Sequence, residues 1–239
     1  MFNWQTAKII DIQSVTKQTS IFKLEVLDTD RVDFTPGQFI TFDLPISEKK
    51  TQRLKSYSIA SHPQDSNVLE LVIVKIEGGL GTSFLFDRAK CDVGTELTFR
   101  GPLGVFTLPK DLSVPYYFVC TGTGVAPFRS MIKYIHTNQL PYNELNLIFG
   151  TRTKADLLYY DELKKLSEEM QNFNYHIALS REPWEGKKSY VHELYQSLAP
   201  RDETVQFMFC GWRPMIDQAR NELIALNYDK NQIHFELYG

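Results

Sequence analysis

The first half of the chain alternates apolar and polar positions over short stretches separated by turn residues. The alternation is clearest in Phe22-Lys-Leu-Glu-Val26 and Leu69-Glu-Leu-Val-Ile73, and a period of two residues is typical of strands with one buried face. Glycine and proline pairs such as Pro36-Gly37 and Gly101-Pro102 indicate turns. The pattern predicts strands at 7–12, 21–27, 39–44, 56–60, 69–76 and 96–99 and one short helix at 82–90. Short strands at this spacing predict an antiparallel six-stranded Greek-key β-barrel.

After Ser113 the pattern changes to a strict alternation of strands and helices. Strands are predicted at 116–120, 145–149, 175–179, 206–210 and 232–237, and helices at 125–136, 156–170, 190–198 and 214–226. Strand and helix repeating with short loops predict a five-stranded parallel sheet, doubly wound by helices on both faces. The change of pattern places a domain boundary between residues 113 and 114, giving domains 1–113 and 114–239.

Composition and charge narrow the class of protein. The chain is 43% hydrophobic with a net charge of −3, which argues against nucleic acid as a partner. It has no apolar run of membrane-spanning length and no secretory leader pattern at residues 1–10, so a cytoplasmic location is expected. Its three separated cysteines exclude an iron–sulfur cluster held by four cysteines of this chain, and the histidines lack metal-binding spacing, so no metal site is predicted.

The stretch Val119-Cys-Thr-Gly-Thr-Gly-Val-Ala-Pro-Phe128 leads from a predicted strand through two glycines into a predicted helix. Such a turn presents backbone N–H groups and the positive end of the helix dipole at one point. Gly122 and Gly124 have no side chains to keep a phosphate oxygen away. The stretch is therefore consistent with a seat for a dinucleotide pyrophosphate, or with an ordinary glycine turn between strand and helix.

Other chemistry-bearing residues follow the remaining strands of the predicted parallel sheet. Ligands of such sheets bind at the carboxyl ends of the strands, which all meet at one edge. These ends offer glycines, hydroxyls, two guanidinium groups, a thiol, a carboxylate and an aromatic ring, which together predict a dinucleotide site. The candidates are Thr121, Gly122, Thr123, Gly124, Arg152, Ser180, Arg181, Cys210, Gly211, Glu236 and Tyr238.

Two stretches of the first half also carry candidate chemistry. In Arg53-Leu-Lys-Ser-Tyr-Ser58, the tyrosine could stack on a flat ring while the last serine bonds to the edge of that ring. The alternative is an ordinary barrel strand. Glu77-Gly-Gly-Leu-Gly-Thr-Ser83 could seat an anion at a helix start, or Thr82 could simply cap that helix. The candidates are Lys55, Ser56, Tyr57, Ser58, Lys75, Gly79, Gly81, Thr82 and Ser83.

Seven segments, in order along nearly the whole chain, resemble the ferredoxin–NADP⁺ reductase family of flavoproteins, and within it the bacterial type. They are Phe34-Thr-Pro-Gly-Gln-Phe39, Lys55-Ser-Tyr-Ser58, Gly79-Leu-Gly-Thr82, Gly101-Pro-Leu-Gly-Val-Phe106, Gly122-Thr-Gly-Val-Ala-Pro127, Cys210-Gly-Trp-Arg-Pro-Met215 and Glu236-Leu-Tyr238.

The resemblance implies a flavin-binding barrel followed by a nicotinamide-dinucleotide domain. It implies that Tyr57 stacks on one face of the isoalloxazine ring, that Ser58 lies near its reactive nitrogen, and that Tyr238 shields the other face. It further implies that Cys210 and Glu236 position the nicotinamide. Ser58, Cys210, Glu236 and Tyr238 are thus the catalytic candidates.

The resemblance also bears on which flavin is held. The family places an arginine where this chain has Lys55, so the grip on the flavin phosphate differs, or Arg53 takes over that role. Most relatives with this layout hold FAD and some hold FMN, and FAD is favoured here.

The residues after the third predicted parallel strand bear on whether the chain uses NADPH or NADH. Relatives that prefer NADP bind its 2′-phosphate with a Ser-Arg pair at this point. Since this chain has Ser180-Arg181 there, the resemblance favours NADPH. The nearby Glu182 keeps NADH open, since a carboxylate suits an unphosphorylated ribose.

The expected activity is electron transfer from NAD(P)H through FAD to a separate one-electron carrier, ferredoxin or flavodoxin, because this chain cannot build a cluster of its own. A basic cluster could guide an acidic carrier, or could be an ordinary polar loop. Its members are Lys49, Lys50, Arg53 and Lys55. The alternatives are a reductase releasing free flavin, the reductase component of an oxygenase, and a non-catalytic flavin- or nucleotide-binding subunit.

Overall fold

The computed structural model describes residues 4–186, 188–199 and 204–238. Across 4–108 the chain forms an antiparallel sheet of six strands: β1 (Trp4–Ser14), β2 (Thr19–Val26), β3 (Phe39–Asp43), β4 (Leu54–Ser58), β5 (Val68–Val74) and β6 (Glu96–Leu103). The strand order is β4-β3-β6-β1-β2-β5. An antiparallel bridge between Ile59 and Leu71 joins the two ends of this order, so the sheet closes into the predicted barrel.

The interior of the barrel is filled by the apolar half of the alternating pattern. Phe22, Leu24 and Val26 are buried, whereas Lys23 and Glu25 between them are only partly buried. Residues from all the remaining strands complete this core, among them Ala7, Ile9, Ile40, Phe42, Leu69, Leu71, Ile73, Leu97 and Phe99. The alternation of apolar and polar residues in the sequence therefore predicts the buried face of these strands correctly.

Two short helices of the barrel half differ from the prediction. Helix α1 (Lys50–Arg53) lies in a segment where the pattern predicts no element. Helix α2 (Leu80–Leu85) begins and ends earlier than the predicted helix at 82–90, which is wrong beyond residue 85. There the Asp87 carboxylate accepts the backbone N–H of Ala89, and such local bonds favour a turn over a continued helix.

The second half forms a parallel sheet. Among its described residues there are five strands, β7 (Tyr116–Thr121), β8 (Leu145–Thr151), β9 (Phe173–Leu179), β10 (Gln206–Trp212) and β11 (Ile233–Tyr238). Their order is β11-β10-β7-β8-β9. The helices are α3 (Val125–Thr137), α4 (Tyr160–Glu169), α5 (Val191–Leu198) and α6 (Arg213–Ala225).

Helices cover both faces of this sheet. Val191 of α5 and Ile216 of α6 share one apolar core with Val119 and Phe207. On the opposite face Phe118 of β7 stacks on Phe128 of α3, with ring centroids 4.9 Å apart. Neighbouring strand residues alternate between the faces, so both faces are covered and the predicted doubly wound fold class is confirmed.

Helix α4 begins at Tyr160 rather than at the predicted residue 156. A separate 3₁₀ turn, Lys154–Asp156, precedes it. The Thr153 side chain bonds to the backbone N–H of Asp156, and the Asp156 side chain bonds to the backbone N–H of Thr153. Tyr159 then adopts a left-handed backbone with φ of 56°. The chain therefore turns once before the helix proper starts.

The chain divides into two compact units. The segment through Leu108 together with Arg129–Tyr134 forms one, and Pro109–Phe128 together with the chain from Ile135 onward forms the other. The middle of α3 thus belongs to the barrel unit. The boundary placed after residue 113 from the sequence stays a prediction.

Candidate functional site

Strand β4 and the first turn of α2 meet within the barrel unit. A Cβ atom added to Gly81 would lie 2.8 Å from Cγ and 3.4 Å from Cε of Lys55. The lysine stem therefore runs directly across the start of α2, and any side chain at position 81 would displace it. The cation and the glycine turn, two candidates for holding the flavin phosphate, are brought together although 26 positions separate them in sequence.

Tyr57 and the serines beside it have different surroundings. The ring of Tyr57 packs against Phe42, with centroids 5.9 Å apart and planes tilted by 53°. Burial, aided by nearby Cys91, raises the pKa of its phenol, so the ring stays neutral and offers a flat face. Ser58 is buried, and the Ser56 hydroxyl lies 2.9 Å from that of Thr41.

Two predicted phosphate contacts are already engaged in the barrel. The Thr82 hydroxyl accepts the Ile76 N–H at 3.1 Å and lies 3.2 Å from the Ile76 carbonyl oxygen, so it closes the loop ahead of α2. Arg53 forms a 2.7 Å ion pair with Asp43, whereas the stem of Lys55 lies against Gly81. Lys75 and Ser83 are exposed at the end of β5 and within α2.

The Gly122–Gly124 turn of the second unit is packed against the end of β10. A Cβ atom on Gly124 would lie 2.3 Å from the carbonyl oxygen of Cys210, closer than any real contact. Only glycine fits there, and Thr123 between the two glycines is partly buried. The Oγ1 atom of Thr121 is buried and has no hydrogen-bond partner among the described residues, as expected of a group that bonds to a ligand.

The ends of β10 and β11 bring together the thiol, the carboxylate and the aromatic ring. In the parallel register Cys210 pairs with Glu236, Gly211 with Leu237 and Trp212 with Tyr238. The Cys210 side chain is fully buried. Burial, with Glu236 adding to it, raises the pKa of this thiol well above its usual value, while a hydrogen bond with the Tyr238 side chain opposes the shift. The thiol is therefore neutral at physiological pH.

The backbones of two arginines, Arg152 and Arg181, are hydrogen-bonded to each other after β8 and β9. The Arg181 N–H donates to the Arg152 carbonyl at 2.9 Å and the Ser180 N–H to the Thr151 carbonyl at 3.1 Å. Both arginine side chains are exposed, and neither makes an ion pair with a carboxylate in the part of the chain that is described. The carboxylate of the neighbouring Glu182 accepts the backbone N–H of Lys154.

These observations fit an FAD and a nicotinamide dinucleotide. The barrel unit offers an aromatic face beside a cation that crosses a glycine turn. The second unit offers a turn with two glycines, a buried hydroxyl without a partner among the described residues and a pair of exposed arginines. Across the described ranges there is no group of three or more His, Cys, Asp and Glu side chains suited to a metal ion.

Sequence reasoning missed Arg129, which is only 6% exposed within α3. The usable signal was an arginine next to the apolar face formed by Val125, Phe128 and Ile132. Trp212 is a second residue that the sequence analysis did not single out. That indole is 68% exposed at the end of β10, beside the Cys210 and Tyr238 positions.

Two family models match this chain. Residues 6–108 match the family of the oxidoreductase FAD-binding domain, and residues 118–221 match that of the oxidoreductase NAD-binding domain. No helix in the described ranges is both long and apolar enough to span a membrane.

The chain is 31% identical to ferredoxin–NADP reductase B of Sorangium cellulosum, over 97% of this chain and 96% of that protein. It is 30% identical to the anthranilate 1,2-dioxygenase electron transfer component of Acinetobacter baylyi, over 90% of this chain but only 61% of the relative.

Among solved structures, the ferredoxin NADP⁺ reductase of Neisseria gonorrhoeae with bound FAD and NADP superposes with a TM-score of 0.81. It shares 23% identity, and 98% of each chain is covered. The cytochrome P450 reductase GcoB of Amycolatopsis superposes with a TM-score of 0.87 at 24% identity, covering 99% of this chain and 70% of that one. With the near full-length match to the Sorangium reductase, the chain belongs to the ferredoxin–NADP⁺ reductase family of NAD(P)H-dependent FAD oxidoreductases.

Proposed function

We propose that this protein oxidises NADPH and passes the electrons one at a time, through FAD, to a separate carrier protein of the ferredoxin or flavodoxin type. The observation that carries the proposal is the meeting of Cys210, Glu236 and Tyr238 at the ends of β10 and β11, against the Gly122–Gly124 turn. Such a group suits a nicotinamide better than it suits a metal or a nucleic acid.

Each residue of the site has a distinct task. When bound, FAD supplies the redox chemistry, since it accepts a hydride from the nicotinamide and releases electrons singly. The Gly122–Gly124 turn binds the pyrophosphate through backbone N–H groups. Cys210 and Glu236 orient the nicotinamide, and Tyr57 and Tyr238 present aromatic faces that exclude water.

An anaerobic titration of the purified protein tests this function directly. The flavin absorbance is followed while NADH and NADPH are added to separate samples. We expect bleaching by both, with NADPH effective at a lower concentration. A flavin that neither nucleotide bleaches would instead indicate the non-catalytic subunit, and purification without bound flavin would favour the reductase that releases free flavin.

The preference for NADPH should depend on Arg181. Replacing Arg181 with Gln removes a charge-assisted contact to the 2′-phosphate, which is worth about 1.5 kcal/mol or more. We expect the KM for NADPH to rise about 10-fold and the KM for NADH to stay the same. Lys164→Gln, on the exposed side of α4, is the control. An equal effect on both nucleotides would show that Arg181 does not read the phosphate.

Carrier docking should depend on Lys49 and Lys50, both exposed next to or within α1. The double change Lys49→Glu/Lys50→Glu should raise the KM for an acidic carrier about 10-fold, since it reverses a local field. NADPH oxidation with ferricyanide should not change. Lys17→Glu/Lys164→Glu alters the net charge equally at exposed sites, and a matching rise there would exclude a local docking surface.

The second candidate function is the reductase component of a multicomponent oxygenase. Its support is the similarity to the anthranilate 1,2-dioxygenase electron transfer component, of which this chain spans 61%. The carriers tested should therefore include a separate [2Fe–2S] protein. Turnover with a flavodoxin but not with such a protein would contradict this candidate.

A further inference from the structure

Glu182 stands out because it is an acidic residue directly beside the arginine proposed to bind the 2′-phosphate. It follows Ser180-Arg181 in the loop after β9, and its side chain is partly buried. From the sequence, a carboxylate at this place keeps NADH open, because it suits an unphosphorylated ribose. In the structure this carboxylate has a partner within the second unit, the backbone N–H of Lys154.

The contact continues a series of bonds between the loop after β9 and the loop after β8. The Ser180 N–H donates to a carbonyl at the end of β8 at 3.1 Å, and the Arg181 N–H donates to the Arg152 carbonyl at 2.9 Å. One residue further along, the Glu182 carboxylate accepts the Lys154 N–H. Glu182 thus extends with its side chain a series that backbone bonds begin, and Arg181 lies within that series.

The partner of Glu182 belongs to a closed local turn. Lys154 is the first residue of the 3₁₀ turn Lys154–Asp156, which Thr153 and Asp156 close with their side chains. N–H groups at the start of a helical turn have no acceptor inside it, and Glu182 supplies one from a separate segment. Since bonds to a carboxylate are stronger than bonds between neutral groups, residue 182 is firmly attached to this turn.

Trp184 holds the same loop two residues later. Its ring meets that of Tyr160, the first residue of α4, edge to face, with centroids 5.9 Å apart and planes at 82°. The Nζ atom of Lys154 lies 5.9 Å from the centroid of the indole. The backbone of Arg181 is therefore held on both sides, whereas its side chain is exposed and available to a ligand.

A backbone that is already fixed lowers the cost of binding. A loop or side chain that becomes ordered only when the ligand arrives consumes part of the interaction energy. An arginine on a fixed backbone avoids that part of the cost and can meet a phosphate with its guanidinium in one geometry.

Two interpretations of Glu182 predict opposite effects of removing it. If the carboxylate binds the ribose, its loss weakens NADH and relieves repulsion of a 2′-phosphate. If it holds the loop, its loss weakens NADPH and leaves NADH unchanged. The bond to the Lys154 N–H favours the second interpretation.

We propose that Glu182 is a positioning residue for the 2′-phosphate, which it serves by attaching the loop of Arg181 to the Lys154 N–H. An acidic residue thereby contributes to the binding of a dianion. This inference rests on the proposed function, because it concerns the origin of the preference for NADPH.

The test compares Glu182→Ala with Glu182→Gln, whose amide oxygen can still accept the Lys154 N–H. The probes are 2′,5′-ADP and 5′-AMP, which differ only by the 2′-phosphate, and their binding is measured by calorimetry without turnover. We expect Glu182→Ala to raise the Kd for 2′,5′-ADP about 5-fold, because the loop must then be ordered on binding. The Kd for 5′-AMP should not change.

The same separation should appear in turnover. In Glu182→Ala the KM for NADPH should rise about 5-fold, while the KM for NADH and both kcat values stay the same. Hydrogen exchange of the Lys154 amide should become faster in the protein without nucleotide, since its acceptor is lost. Glu182→Gln should restore wild-type binding, KM and exchange.

Glu185→Ala is the matched control, because it removes the same charge from an exposed position of the same loop. It should change neither the Kd for 2′,5′-ADP nor the exchange of the Lys154 amide. An equal change in Glu185→Ala and Glu182→Ala would overturn the proposal, since the effect would then come from charge alone.

Three further results would overturn it. The first is tighter binding of 2′,5′-ADP by Glu182→Ala, or a higher KM for NADH alone, which would place the carboxylate at the ribose. The second is an unchanged Kd for 2′,5′-ADP despite faster exchange at Lys154, which would make the bond structural only. The third is a Glu182→Gln variant that behaves like Glu182→Ala.

Failure of the proposed function gives a different result. Wild-type protein that binds 2′,5′-ADP more tightly than 5′-AMP, but whose flavin neither NADPH nor NADH reduces, would contradict the electron-transfer function and leave the role of Glu182 intact. Wild-type protein that binds both probes equally would overturn the preference for NADPH and this inference with it.

Discussion

Replacing Gly124 with alanine should lower kcat/KM for NADPH at least ~100-fold, with little effect on FAD content. The added Cβ would lie 2.3 Å from the carbonyl oxygen and 2.7 Å from the carbonyl carbon of Cys210. Both are backbone atoms of a buried strand, so no side-chain rotation relieves the clash. Either the turn or the end of β10 must move, and a shift of about 1 Å at a site of hydride transfer is expected to cost about 100-fold.

This effect is measured by stopped-flow reduction of the FAD-replete variant and by NADP⁺ binding. The matched control is Gly94→Ala, at a turn of the barrel unit where nothing lies within 4 Å of the added Cβ. The Gly94 backbone has φ of 94°, so this control should lose some stability through strain while reducing its flavin normally. Normal reduction in Gly124→Ala would show that the turn does not seat the dinucleotide.

Replacing Cys210 with alanine should slow flavin reduction by saturating NADPH roughly 10- to 100-fold. The thiol is fully buried, pairs in register with Glu236 and is hydrogen-bonded to Tyr238. Its loss leaves a gap where the nicotinamide would be positioned and frees the Tyr238 side chain to move. The effect should fall on the rate at saturation more than on NADP⁺ affinity, because the pyrophosphate seat is retained.

Cys120→Ala is the control for Cys210→Ala. Cys120 pairs with Cys210 across β7 and β10 and is equally buried, so its loss should lower stability without slowing reduction. Because burial raises the pKa of the Cys210 thiol, the wild-type rate should show no thiol ionisation between about pH 6 and pH 9. A thiol titration in that range, or equal slowing by both variants, would contradict a positioning role for neutral Cys210.

Much of this fold could be predicted from the spacing of apolar residues. The alternation of apolar and polar residues, as at Phe22 and Leu24, depends only on which side of a strand faces the core. It can therefore be seen in the sequence itself. The strand–helix alternation after Ser113 predicts the parallel sheet for the same reason. In a parallel sheet the strand ends share one edge, so the meeting of Cys210 with Glu236 also followed from topology.

Side-chain partnerships between distant segments could not be predicted in this way. The sequence offers Lys55, with Arg53 as the alternative, to hold the flavin phosphate. In the folded chain Asp43 pairs with Arg53, whereas the stem of Lys55 crosses Gly81. The carboxylate of Glu182 accepts the backbone N–H of Lys154, a contact that the sequence does not predict. Both outcomes depend on packing between distant segments of the chain. The local pattern of apolar and polar residues does not predict such packing.

By itself, then, the amino-acid order determined the two-part architecture, the glycine turn and the kinds of chemistry at the strand ends, because these follow from local periodicity and backbone freedom. Only the tertiary structure decided which charges are paired, which remain available to a ligand, and that Arg129 is buried against Ala60 and Glu70. The physical reason is that a buried charge is tolerated only where distant partners meet it, and those partners exist only once the chain has folded.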